Sequence, residues 1–236
     1  MFITIEGLDG VGKSTIAGLL ASQIRKEFGR DVVITSDLAG TDTGKAVRKI
    51  LVRDAGKLTV EHQLQLVDRA RQANISQVIR PNLAKKNFVI CDRWVDSTFA
   101  YQIAGFAKDP ALMQTHMPLP PGYNSDLNIL LDLAPSEALA RTAGRGNKDH
   151  IESQGIDFFE RVRAAFLHRS TLRTLTGHNS TIIDASRRQT IVARNAFLAV
   201  RDVFESKKPP TKMDDDEMCF VAAWARTIQS TGHVTA

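Results

Sequence analysis

The chain has 236 residues, room for one sizeable core and too few for two large domains. Its 43% hydrophobic and 24% charged content excludes wholesale disorder. A net charge of +5, with basic residues scattered among acidic ones, argues against a nucleic-acid-binding stripe, and two cysteines, Cys91 and Cys219, are too few for a disulfide framework or structural zinc.

Short β-rich apolar runs fall at residues 2–5, 32–35, 88–91, 127–133 and 181–183. Between them the spacing turns helical, as in Ile16, Leu19, Leu20 and Ile24, and again in Leu64, Val67, Ala70, Arg71, Ile75 and Val78. Strands alternating with helices predict an α/β fold with three layers, α/β/α, around a five-stranded parallel sheet.

The first strand runs straight into Gly7-Leu8-Asp9-Gly10-Val11-Gly12-Lys13-Ser14, which satisfies G-x-x-x-x-G-K-[ST] at every position, with Thr15 following. Glycines let the backbone curl so that successive N–H groups face inward at a helix N-terminus and cradle an anion. Lys13 would reach the terminal phosphates of a nucleotide, and the Ser14 hydroxyl would hold Mg²⁺. The plain alternative is a glycine-rich turn with no nucleotide. GTPases, ATPases and small-molecule kinases all use this loop, so it does not name the reaction. A GTPase switch would also want a guanine-reading N-K-x-D segment, and the sequence has none.

At the end of the third predicted strand stand Asp92 and Arg93, followed by Ser97, Thr98, Tyr101 and Gln102. Parallel sheets present ligands at the carboxyl ends of their strands, which puts this pair beside the phosphate loop. There a carboxylate can hold a metal and a guanidinium can grip a phosphate bidentately; a strand-end ion pair is the other reading. Residues 105–124, rich in Pro, Gly and Met, read as an irregular connection. Lys207-Lys208-Pro209-Pro210 reads as a linker, beyond which Phe220, Val221, Trp224 and Ile228 share one side of an amphipathic helix. No apolar run is long enough for a membrane span and no signal peptide is recognisable, so a cytoplasmic protein with neither membrane nor nucleic-acid partner is expected.

Taken together, several ordered motifs resemble the thymidylate kinase family of P-loop nucleoside-monophosphate kinases: the phosphate loop with Asp9, the segment from Asp92 to Gln102, LDLAPSEALAR from Leu131, RGNKDHIE, FFERVRAAF from Phe158 and IIDAS from Ile182. The resemblance covers residues 1–204 and implies transfer of the γ-phosphate of ATP to dTMP, with Mg²⁺, by a homodimer. It implies that Gly7, Gly10, Val11, Gly12, Lys13, Ser14 and Thr15 hold ATP, that Arg141 lies against adenine, and that Ser14, Asp92 and Asp9 serve the metal. For the acceptor it implies Asp9 near the sugar, Arg48 on the dTMP phosphate, Arg93 bridging the two nucleotides, Arg71 on the thymine carbonyl, and Ser97, Thr98, Tyr101 and Gln102 along base and deoxyribose, with Lys13, Arg93, Asp9 and a lid arginine as the catalytic set. Gly10 stands where some members carry a catalytic arginine. The cation is therefore expected from a bacterial-type lid at about 142–153, with Arg145 first and Lys148 second among Arg141, Arg145, Lys148 and His150. The expected division is a kinase domain at 1–206 and a linker with a C-terminal extension at 207–236.

Two departures bear on the base. Val67 occupies the place of a stacking phenylalanine, and Asp37-Leu38-Ala39-Gly40-Thr41 lacks the proline and second glycine usual in its turn. Trp94 or Phe99 could supply the missing ring, and another pyrimidine deoxynucleoside monophosphate, such as dUMP, is the alternative acceptor.

Overall fold

A computed structural model describes residues 1–109, 112, 124–143, 151 and 153–206. Five strands, β1 (Phe2–Glu6), β2 (Val32–Ser36), β3 (Phe88–Asp92), β4 (Leu127–Asp132) and β5 (Ser180–Asp184), form one sheet in the order β2-β3-β1-β4-β5. Every pairing is parallel. The expected strands fall within a residue or two of these bounds, and the three-layer α/β/α fold is the observed one.

Alternation along the strands separates the two faces. Ile3, Ile5, Phe88 and Ile90 enter the larger core with α1 (Lys13–Phe28) and the two later helices Ile156–Leu175 and Gln189–Glu205, called α7 and α8 below. Phe2, Val89 and Cys91 turn to the other face and pack on Ile75, Ile79 and Trp94. Both faces are covered, which is why these strands read as continuous apolar runs.

On the second face α2 (Asp42–Asp54) packs on α3 (Val60–Asn74), which continues through a π-helical stretch, Ile75–Ile79, into α4 (Arg80–Ala84). After β3 comes α5 (Val95–Thr98), prolonged by a second π-helical segment, Phe99–Ala107, in which Lys108 N donates to Ile103 O at 3.0 Å. Helix therefore extends over residues 105–107, where an irregular connection was expected; the rest of that stretch is described only at 108–109, 112 and 124. After β4 comes α6 (Pro135–Thr142). No helix among the described residues is long and apolar enough to cross a membrane.

From the central β1 the chain passes to the edge strand β2, returns inward as β3, and then crosses to the other side of β1 as β4 and β5. The carboxyl end of β1 is thus the switch point where a ligand crevice opens.

Candidate active site

The phosphate loop begins where β1 ends and lies flat against its neighbours. A Cβ on Gly7 (φ +136°) would sit 2.4 Å from the Leu131 carbonyl oxygen, and one on Gly10 (φ +88°) 2.2 Å from that of Ala138. Side chains at these two positions would push the loop off β4 and α6. Gly12 caps α1 without a side-chain hydrogen bond, which leaves the first-turn amides for an anion. Lys13 folds back over the loop, its Nζ donating to the carbonyls of Leu8 at 2.8 Å and Gly7 at 3.1 Å. Burial, reinforced by the nearby Arg93 guanidinium, lowers its pKa to about 8, although Asp9 pulls the other way.

Ser14 Oγ donates to Asp92 Oδ2 at 2.6 Å, joining the start of α1 to the end of β3. Among the described residues no cluster of three or more His, Cys, Asp or Glu could enclose a metal. A hydroxyl and a carboxylate, both hard oxygen donors, nonetheless suit Mg²⁺, which takes few protein ligands and keeps waters and phosphate oxygens for the rest.

Arg93 follows in a left-handed conformation, φ +71°, rare for a side chain of this size. The turn sends the guanidinium back across β1. Nη2 donates to Asp9 Oδ1 at 2.6 Å, Nη1 donates to Gly7 O at 3.2 Å and Ser97 Oγ at 3.1 Å, and the group lies 5.0 Å from the Tyr101 ring centroid. Burial would lift the Asp9 carboxyl, but Arg93 and Lys13 hold it below the usual carboxylate range. Asp9 remains an anion that keeps both cations at the loop.

The strained turn is clamped by Glu6, which the sequence analysis did not single out. Its Oε1 accepts from the Trp94 and Ser97 amides at 2.8 and 3.3 Å, and its Oε2 accepts from Ser97 Oγ at 2.5 Å. Burial first, then the neighbouring Asp96, push its pKa up to about 7. A carboxylate closing an otherwise apolar strand was the available signal. Asp96 is in turn held by two arginines one turn apart on α7: Oδ1 accepts from Arg169 Nε at 2.9 Å and Oδ2 from Arg173 Nε at 2.7 Å. All three are 1% exposed.

A cavity of about 380 Å³ opens beyond these groups. Of the predicted residues, Asp9, Gly10, Lys13, Ser14, Arg48, Val67, Asp92, Arg93, Ser97, Thr98, Tyr101 and Gln102 border it. Arg71 stands behind the wall: Nη2 donates to Asp37 Oδ2 at 2.6 Å and to Thr98 Oγ1 at 2.7 Å, and the guanidinium lies 5.2 Å over the Trp94 ring. Gly7, Val11 and Gly12 shape the loop, while Thr15 is exposed on α1. On α6, Arg141 Nη1 donates to Ala185 O at 3.1 Å, beyond β5. Arg145, Lys148 and His150 lie outside the described residues. Neither candidate replacement ring is at the cavity: Trp94 and Phe99 are 1% and 4% exposed inside the core clusters. Among the described residues, the rings that border it belong to Tyr101 and Phe106.

One phosphate loop holds one nucleoside triphosphate, and the space on the far side of Arg93 is left for a second small anion. That division of donor from acceptor is the architecture of P-loop nucleoside-monophosphate kinases, and the chain is an enzyme of that class. A family model described as Thymidylate kinase matches residues 5–195. Among curated proteins, the thymidylate kinase of Pseudomonas putida (strain GB-1) is 40% identical over 172 residues, 72% of this chain and 81% of the relative. That of Exiguobacterium sp. (strain ATCC BAA-1283 / AT1b) is 40% identical over 168 residues, 70% and 79% of the two chains, and that of Albidiferax ferrireducens is 38% identical over 180 residues, 72% and 82%. The chain belongs to the thymidylate kinase family.

Proposed function

We propose that the protein transfers the γ-phosphate of ATP to dTMP, giving dTDP. The observation that carries this reading is the position of Arg93, which spans the 84 residues to Asp9 of the phosphate loop on one side and borders the acceptor cavity on the other. ATP lies on the loop residues Gly7 to Thr15, with Arg141 toward adenine. On binding, Lys13 exchanges its two carbonyl contacts for phosphate oxygens, and the α1 amides take the rest of the charge. Ser14 and Asp92, with Asp9 nearby, would hold Mg²⁺, which when bound would neutralise triphosphate charge.

Arg48 takes the phosphate of dTMP, Ser97, Thr98, Val67 and Gln102 surround base and sugar, and Arg71, bound to Asp37 and to Thr98 of the wall, turns from behind that wall toward the base carbonyl when the acceptor enters. Tyr101, held by Arg93 and Asp9, closes the space beside the sugar against a 2′-hydroxyl. Phosphoryl transfer needs positioning and charge neutralisation more than proton transfer, and the attacking phosphate oxygen is already ionised at neutral pH. The transfer needs no general base. Arg145 of the lid at 142–153 supplies the further cation, worth ~10³ or more in rate when such an arginine is lost. The kinase domain is 1–206, residues 207–236 form a linker and extension, and the working unit is a cytoplasmic homodimer with no nucleic-acid or membrane partner.

Coupled measurement of ADP formation with dTMP, dUMP, dCMP, dGMP and dAMP in turn tests the acceptor. The highest kcat/KM is expected with dTMP; ADP release that is indifferent to the monophosphate would overturn the assignment.

A further inference from the structure

We propose that Phe106 supplies the aromatic platform for the acceptor's base, in place of the ring missing from α3 at Val67. The inference rests on the reading of this cavity as the dTMP site. From α2 and α3 the wall offers only aliphatic apolar groups: Val67, 3% exposed, belongs to a small cluster with Val47, Leu51 and Ala70. No ring comes from that side.

Thr98, the last residue of α5, is followed at spacing four by Gln102 and Phe106 of the second π-helical segment, and all three border the cavity. The wide turn of a π-helix, with its i→i+5 hydrogen bonding, brings residues at this spacing to one side, and such turns gather at functional sites. Two hydrogen-bonding side chains and one ring thus face the same space, the combination that a planar base with polar edges requires.

The ring is also held from behind. Phe106 packs on Phe158 of α7 with centroids 4.8 Å apart, and Phe158 in turn meets Phe159 edge-on at 5.2 Å and Tyr101 at 6.3 Å. Gly105 makes room for this: a Cβ there would stand 2.7 and 2.9 Å from two carbons of the Phe158 ring. A ring already backed by others loses little freedom when a base arrives, so more of the stacking energy appears as affinity.

Steady-state kinetics on the full chain tests this with Phe106→Leu, Phe106→Tyr and the double variant Val67→Phe with Phe106→Leu. Leucine keeps apolar bulk and removes the π-face. Phe106→Leu is expected to raise the KM for dTMP ~10-fold while kcat and the KM for ATP stay within ~2-fold, since base–aromatic stacking is lost without touching the phosphates. Phe106→Tyr should keep the wild-type KM, and Val67→Phe should restore most of the affinity that Phe106→Leu loses. An unchanged dTMP KM in Phe106→Leu, or equal losses on dTMP and ATP, would overturn the inference while leaving the kinase reading intact. Absence of dTMP-dependent turnover in the wild type would instead remove the acceptor assignment, and the inference with it.

Discussion

Lys13 carries the most direct consequence at the scale of single residues. Its ammonium is buried against Arg93, and the resulting pKa of about 8 applies before any nucleotide is present. A polyphosphate arriving at Nζ favours the charged form and raises that pKa. Below pH 8 the lysine is already charged when ATP binds; above it, binding must take up a proton. ATP affinity in the wild type is therefore expected to weaken as pH rises from 8 to 9, by up to ~10-fold per unit. Lys13→Met should bind weakly with a flat profile over the same range. Titration calorimetry in two buffers of different ionisation enthalpy measures the uptake directly, and a wild-type affinity that does not change across this range would contradict the account. Glu6 shows the opposite case, an acid kept partly protonated near neutrality by burial and by Asp96, and useful for the three hydrogen bonds it accepts around the Arg93 turn.

Among elements, the join between α5 and α7 decides whether that turn holds its shape. Asp96 sits on α5 next to Ser97, and Arg169 and Arg173 reach it from α7. Removing one partner from a buried ion cluster leaves the others uncompensated, at a cost of ~3–5 kcal/mol. Asp96→Ala is expected to lower stability by about that amount, read as a shift in the urea midpoint. Retention of wild-type stability would mean that the cluster is not a fastening between these helices. Sequence patterning revealed the strands and the start of α1, because apolar alternation and the glycine motif are local signals. It did not reveal this cluster, since the pairing of Asp96 with residues 73 and 77 positions away depends on how α7 crosses the sheet.

For the molecule as a whole, the strand order follows from a β1 placed centrally and covered on both sides, and it brings Asp9, Asp92 and Arg93 together from two strand ends. That convergence was legible in the sequence, because a phosphate loop must follow a strand and its partners must sit at neighbouring strand ends. The rings around the acceptor cavity were not. Trp94 and Phe99 have the right composition, yet Trp94, extended just before α5, and Phe99, at the start of the π-helical segment, both turn into core clusters, while Phe106 lies where the sequence suggested an irregular loop. Which face a residue takes on a π-helical turn cannot be taken from a 3.6-residue period.

The central claim is a direct passage of phosphate from the loop, past Arg93, to a second nucleotide. Incubation of the protein with Mg²⁺, dTMP and ATP labelled at the γ-phosphate, followed by chromatography, tests it most directly. The label is expected in dTDP, in amounts equal to the ADP formed. Label recovered as inorganic phosphate, with dTMP left unchanged, would contradict it.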